Sequence, residues 1–252
     1  MVARMLHHAG FHVGRDGNVM PANFANPVGY FENLDVVTLN EQVLAELGGS
    51  WFSPPRLASQ CAARDHIAPR LRSSLDDLIT EAGAKPVAVK DPRIGVLLPM
   101  WLPTLDGVLY PMLTVRHPLE IARSLKARDG MAIGAGLAAW ELHMSIVLDT
   151  LSGRTVCVMP HRELLATPKL AAKLVKQARA RLRPELAEAV SPEAAPQAIE
   201  RDLNHSHAND DIDAYLTVRQ RQLWKLLEAL PVGETRIRHL TTRGQRRVGY
   251  RS

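Results

Sequence analysis

Apolar positions along this 252-residue chain change period repeatedly, from about 3.6 to about 2 residues and back, as expected when helices and strands alternate. Val2, Met5, Leu6 and Ala9 recur at i, i+3, i+4 and i+7, one face of a first helix that Gly10 is placed to end. A loop containing Gly14, Gly17, Pro21 and Pro27 leads to GYFEN. There Asn33 predicts the N-cap of a second helix over LDVVTLNEQVLAEL, closed by Gly48 and Gly49. SWFSPPR reads as a turn, and a helical stretch follows over residues 64 to 82. PVAVK, residues 86 to 90, is a short β-branched run that predicts a strand. Asp91 and Pro92 are then the cap and first turn of a helix through RIGVLLPMW. GVLYPMLTVR predicts a second strand in spite of its proline. A helix starting at Pro118 and a longer one over residues 133 to 152 come next, the latter with Leu137, Trp140, Met144, Val147 and Leu151 on its apolar face. RTVCVMP, residues 154 to 160, is a third strand. A helix from Pro168 to Leu182 and the amphipathic DDIDAYLTVRQRQLWKLLEAL complete the series, separated by a loop rich in alanine, proline and histidine.

This alternation implies βαβ units. The expected fold class is α/β, three layers, with a mostly parallel sheet covered by helices on both faces. At 46% hydrophobic, the chain carries enough apolar residues for a full core, and one domain over residues 1 to 235 is expected. The net charge of +5 changes little, because residues 236 to 252 hold six arginines and no acid. That tail contributes +6, leaving −1 for the rest, and it reads as a solvated basic terminus. No aromatic residues alternate with its basic ones to stack bases, so no nucleic-acid partner is expected. No run approaches the roughly 18 apolar residues of a membrane span. The opening MVARMLHHAG is too short and polar for a signal peptide, and a cytoplasmic address is expected. Cys61 and Cys157 are far apart, form no metal-ligand spacing and fit a reduced compartment.

The chemistry enters through TVRHPLEIARSLKARDG, residues 114 to 130. Arg116 follows an apolar run, Pro118 suits a first helical turn, and Ser124 then lies about two turns into the helix. In open α/β sheets, ligands bind beyond the carboxyl ends of strands. Lys90 and Arg116 each end a predicted strand and share that rim, a pairing suited to a multiply charged anion. The alternative is that each pairs with a local carboxylate, Lys90 with Asp91 or Glu32 for instance.

GYFEN, VKDPRIGVLLPMW, VRHPLEIARSLKARDG and HRELLATP, in this order, resemble landmarks of bacterial sulfotransferases that use 3′-phosphoadenosine 5′-phosphosulfate. The resemblance spans most of residues 1 to 182. It implies a sulfotransferase fold, related to that of P-loop NTPases, and transfer of a sulfuryl group to a hydroxyl or amine of a sugar, lipid or small-molecule acceptor, without a metal. It also implies that Arg116 and Ser124 clamp the 3′-phosphate, that Lys90 neutralises the leaving phosphate, that Arg93 contacts nucleotide or acceptor, and that Glu32 is the base. For Glu32 the alternative is a solvated residue near a helix start, favoured by the dipole; for Arg93 it is a structural ion pair. Two departures stand out. The chain starts in the helix that follows the family's first strand and phosphate loop, so an N-terminally incomplete fold is expected. His161, Arg162 and Glu163 stand where the family has Tyr-Glu-Asp. The runner-up is a catalytically dead nucleotide-binding or interaction protein that kept the fold. A P-loop kinase relative comes third, since no strand ends in a magnesium-binding aspartate.

Other constellations carry less. His205 and His207 with Asp210 and Asp211 sit in a polar loop, where such groups are common without a metal. His7, His8 and His12 have no ligand spacing, and Trp101 and Trp140 fit apolar helix faces. No Gly-x-Ser-x-Gly, His-Glu-x-x-His or complete Walker-type loop is present.

Overall fold

The computed structural model describes residues 1–24, 26–55, 61–105, 109–199 and 215–238. Its elements, in chain order, are α1 (Val2–His8), α2 (Leu34–Glu46), α3 (Cys61–Ala82), α4 (Pro92–Thr104), β1 (Met112–Val115), α5 (Pro118–Asp129), α6 (Ile133–Thr150) and β2 (Thr155–Pro160). They continue with α7 (His161–Ala166), α8 (Lys169–Arg179), α9 (Pro184–Ala187), a 3₁₀ segment (Pro192–Ala198), α10 (Val218–Glu228) and β3 (Gly233–Arg236). The α/β class holds, with a small sheet in the order β1-β2-β3.

The sheet is mixed, which corrects the mostly parallel expectation. β1 pairs β2 in parallel with Val115 opposite Pro160, whereas β2 pairs β3 antiparallel with Val156 opposite Thr235. The expected strand over residues 86 to 90 is also corrected. Among the described residues an isolated parallel bridge alone pairs this run, joining Val87 to His12 through His12 N–H to the Pro86 carbonyl and Ala88 N–H to the His12 carbonyl, each 2.8 Å. A β-branched run supplies the extended backbone, but a strand needs a neighbour along its length.

β2 sits between two apolar cores. Successive side chains of a strand point to opposite faces. Cys157 and Met159 pack with Met5, Leu6, Leu164, Leu174 and Val175 of α1, α7 and α8, while Val156 and Val158 pack with Leu113, Trp140, Leu148, Leu223 and Leu227. All four β2 residues are fully buried, and side chains of this size contribute roughly 1.5–3 kcal/mol each on burial. A third core, of Val43, Leu44, Ile67, Leu71, Leu97, Met100 and Trp101, joins α2, α3 and α4.

Two glycines sit at close approaches of the chain. At Gly10, with φ +101°, a Cβ would lie 2.2 Å from the Ala189 carbonyl oxygen, so no other residue fits between α1 and the segment after α9. At Gly136 a Cβ would lie 3.0 Å from the Ala122 Cα, and its absence lets α6 approach α5. At the other end of the chain, Arg236 belongs to β3 and Ile237 is buried, its N–H donating to the Arg154 carbonyl. The rest of the basic tail, residues 239–252, lies outside the described residues.

Candidate functional site

Local sequence sets each wall of the rim at the carboxyl ends of β1 and β2. Asn33 caps α2 as expected, its side chain accepting from the Asp35 and Val36 N–H groups, both 3.1 Å. The strand-like contact of Val19 with Asn33 closes the preceding loop, with Met20 N–H donating to the Glu32 carbonyl at 2.8 Å. Phe31 adopts φ +55° and its ring packs against His7 at a centroid separation of 5.4 Å. A non-glycine residue in this left-handed region is strained, and such residues cluster at functional sites. The next residue, Glu32, is turned inward and is only 4% exposed.

Burial overturns the reading of Glu32 as a solvated helix-start residue. Its carboxylate pairs through Oε1 with the Lys90 Nζ. Of the two local partners considered for Lys90, Glu32 is therefore the one it meets. Asp91 has other work: its Oδ1 accepts from the Arg93 N–H at 3.0 Å and caps α4, and its Oδ2 accepts from Asn40 Nδ2 at 2.7 Å. Asn40 is itself fully buried and accepts from Trp101 Nε1 at 2.9 Å. Lys90 is thus held between the Val87 bridge and a buried cap. Arg93 turns to Asp91 and to Glu41, at 2.8 and 2.5 Å, the structural ion pairing that its helical position allowed.

Across the rim, His117 caps α5 with its Nδ1, accepting from the Leu119 N–H at 3.2 Å, and its ring meets Trp224 edge-on at 4.8 Å. Arg116 is thereby fixed at the strand end. Its Nε donates to Glu120 Oε2 at 3.3 Å, and Arg162 grips Glu120 Oε1 from the other side with Nε and Nη2 at 3.0 and 2.7 Å. Glu120 is only 2% exposed. Burial alone would raise its carboxyl, but the bonds and charge of Arg162, then of Arg116, hold it below the usual carboxylate range.

Residues 116, 120, 124 and 128 are four apart, which sets Glu120, Ser124 and Arg128 on one face of α5. Ser124 is exposed on that face. Arg128 is raised above its ordinary value, first by its bonds to Asp129 and then, against burial, by the charge of Asp129 and those of Tyr30 and Glu32. Burial first, then Lys90, Arg4 and Arg116, push the Met1 amine down to about 6. Glu32 and Lys90 thus form one pair, Arg116 shares Glu120 with Arg162 at the end of β1, Ser124 is exposed on α5, and the Arg93 guanidinium is engaged by Asp91 and Glu41.

Sequence reading missed Glu120 and Arg162. Glu120 lies within residues 114 to 130, and its i,i+4 spacing from Arg116 is a usable signal. Its second partner is 42 residues away and has no local signature. His205, His207, Asp210 and Asp211 lie outside the described residues, and among those described no group of three or more His, Cys, Asp or Glu residues could hold a metal. No described helix is long and apolar enough to cross a membrane. Comparison with protein-family models, with curated proteins and with solved structures found no significant match.

Proposed function

We propose that this chain is a sulfotransferase of the three-layer α/β kind, taking its sulfuryl group from 3′-phosphoadenosine 5′-phosphosulfate and passing it to a hydroxyl or amine of a sugar, lipid or small molecule in the cytoplasm. The observation that supports the reading is Arg116 at the end of β1, beside the parallel β2 and eight residues before the exposed Ser124, with Lys90 paired to the buried Glu32. Guanidinium forks and hydroxyls suit phosphate oxygens, and an ammonium suits a leaving phosphate as a point charge. In this reading Arg116 and Ser124 hold the 3′-phosphate. Glu32 accepts the acceptor's proton, a task for which a positioned base contributes about 10² to 10⁴ in rate.

The Glu32–Lys90 pair sets a condition on that chemistry. While they bind each other, the base is neutralised and the ammonium is turned from the phosphate, so nucleotide and acceptor must exchange this pair for contacts of their own. The same pair supports the second reading, a nucleotide-binding or interaction protein without turnover, in which the exchange never takes place.

The test is calorimetry with adenosine 3′,5′-bisphosphate and AMP. A charge-assisted hydrogen bond contributes about 1.5–3 kcal/mol, so the bisphosphate should bind about 10- to 150-fold more tightly. Arg116→Ala should abolish the preference; Glu120 keeps Arg162 as its partner in that variant. Equal affinity of the wild-type chain for both nucleotides refutes the assignment. If the preference holds, turnover of Glu32→Gln separates the two readings.

A further inference from the structure

One residue of the rim has no part in the reading above. Because Val115 pairs with Pro160, Arg116 and His161 are the first residues past the ends of neighbouring parallel strands and stand side by side. The Nδ1 of His161 is sealed from solvent and has no hydrogen-bond partner among the described residues. Such an atom is an exception in a folded protein and calls for a functional account.

The charged groups facing the ring come from every side of it. Arg116 approaches from the β1–α5 junction, Glu120 from the first turn of α5, the Met1 amine from the start of α1, and Arg162 from the same short helix. The one acid in this set, Glu120, is already shared between the two arginines. Protonation of the ring is therefore opposed: burial first, then Arg116, push His161 down to about 4, with Glu120 acting the other way. The resting ring is neutral at pH 7.

We infer that His161 is a third ligand of the oxyanion held by Arg116, and that its imidazole takes up one proton from solvent when the anion binds. The inference rests on the reading of this rim as an oxyanion site and adds to it a ligand and a pH dependence. No covalent bond changes; the proton passes from bulk buffer to the ring, which then donates to an anion oxygen. An anion beside the ring offsets the arginines, so the imidazole binds its proton more tightly in the complex than in the free protein. The complex then carries more protons, and affinity rises as pH falls through the higher, bound value and levels off below about 4.

Inorganic sulfate is the probe, since it keeps its charge across this range, whereas phosphate monoesters titrate near pH 6. Calorimetry on the full chain at constant ionic strength, between about pH 5 and 8, should show sulfate affinity gaining up to tenfold per pH unit on acidification. Repeating the titration in buffers of different ionisation enthalpy should give an uptake approaching one proton per sulfate. His161→Gln keeps an amide donor but cannot titrate, and its sulfate affinity should show no slope across this range. Three results overturn the inference: no sulfate binding, a flat wild-type profile, or an undiminished slope in His161→Gln, which would assign the proton to the Met1 amine. A preference for the bisphosphate over AMP together with flat sulfate binding removes this inference alone. Proton-linked sulfate binding without that preference removes the nucleotide reading and leaves the inference standing.

Discussion

Replacing Glu120 by glutamine tests whether the two arginines at the rim depend on a buried charge. The variant keeps the shape of the side chain and removes one negative charge from between Arg116 and Arg162. Three contacts are affected, two from Arg162 at 3.0 and 2.7 Å and one from Arg116 at 3.3 Å. Removing one partner of a fully buried pair costs about 3–5 kcal/mol. That figure must be discounted here, because the Arg162 side chain is 51% exposed and Arg116 24% exposed, so water takes over part of their solvation. The longer Arg116 contact is also weak. The expected loss is about 2–3 kcal/mol at pH 7, and a chain of this size loses about 2–4 °C of Tm per kcal/mol, so a shift of about 4–12 °C follows. The pH dependence fixes the cause. Glu120 is depressed in the folded state, so its contribution is present above the ordinary glutamate value of about 4.3 and fades as pH falls through the lower, folded value. Thermal melts of both chains should converge on acidification below about pH 4. A glutamine variant that melts within a degree of wild type at pH 7, or a gap unchanged between neutral and acid pH, would refute the charge argument.

Two further variants probe the supports of the site by chemical denaturation. Asn40→Ala should cost about 2–4 kcal/mol, because it strips the partner from the Trp101 indole N–H and from one oxygen of the buried Asp91 cap; a loss under about 0.5 kcal/mol would mean that this network does not hold the start of α4 in place. Gly10→Ala should be more damaging than ordinary loop substitutions, since its φ of +101° and the 2.2 Å approach to Ala189 forbid a Cβ without backbone movement; a midpoint equal to wild type would contradict that close approach.

Much of the fold was legible where the signal is local. Asn33 and Asp91 cap the helices their side chains announce, because an oxygen one residue before a helix meets its first free N–H groups whatever lies beyond. Pro118 opens α5 and Gly130, left-handed at φ +70°, closes it. The failures are non-local. Gly233–Arg236 has no β-branched run and was not read as a strand; it becomes one because Thr155–Val158 offers an edge to pair with. Residues 86 to 90 have the composition of a strand and pair at only one bridge. At the site, Arg116 was legible as a strand-end cation, whereas Lys90 follows a single bridge in place of the expected strand, and the burial of Glu32 comes directly after the left-handed turn at Phe31, which no composition announces. The triangle of Arg116, Glu120 and Arg162 needs the parallel register of β1 and β2 before it exists.

β3 also sets a timetable for synthesis. β2 ends at Pro160 and its antiparallel partner begins at Gly233, 73 residues later (233 − 160). At a translation rate of about 5–20 residues per second, that interval lasts about 4–15 s. Throughout it, the most buried strand of the sheet has a neighbour on one side alone, and its other row of N–H and C=O groups is open to any extended chain nearby. A nascent chain stalled between α10 and β3 is thus the form most exposed to aggregation, and a chaperone that shields an extended apolar segment would meet its substrate at that point on the ribosome.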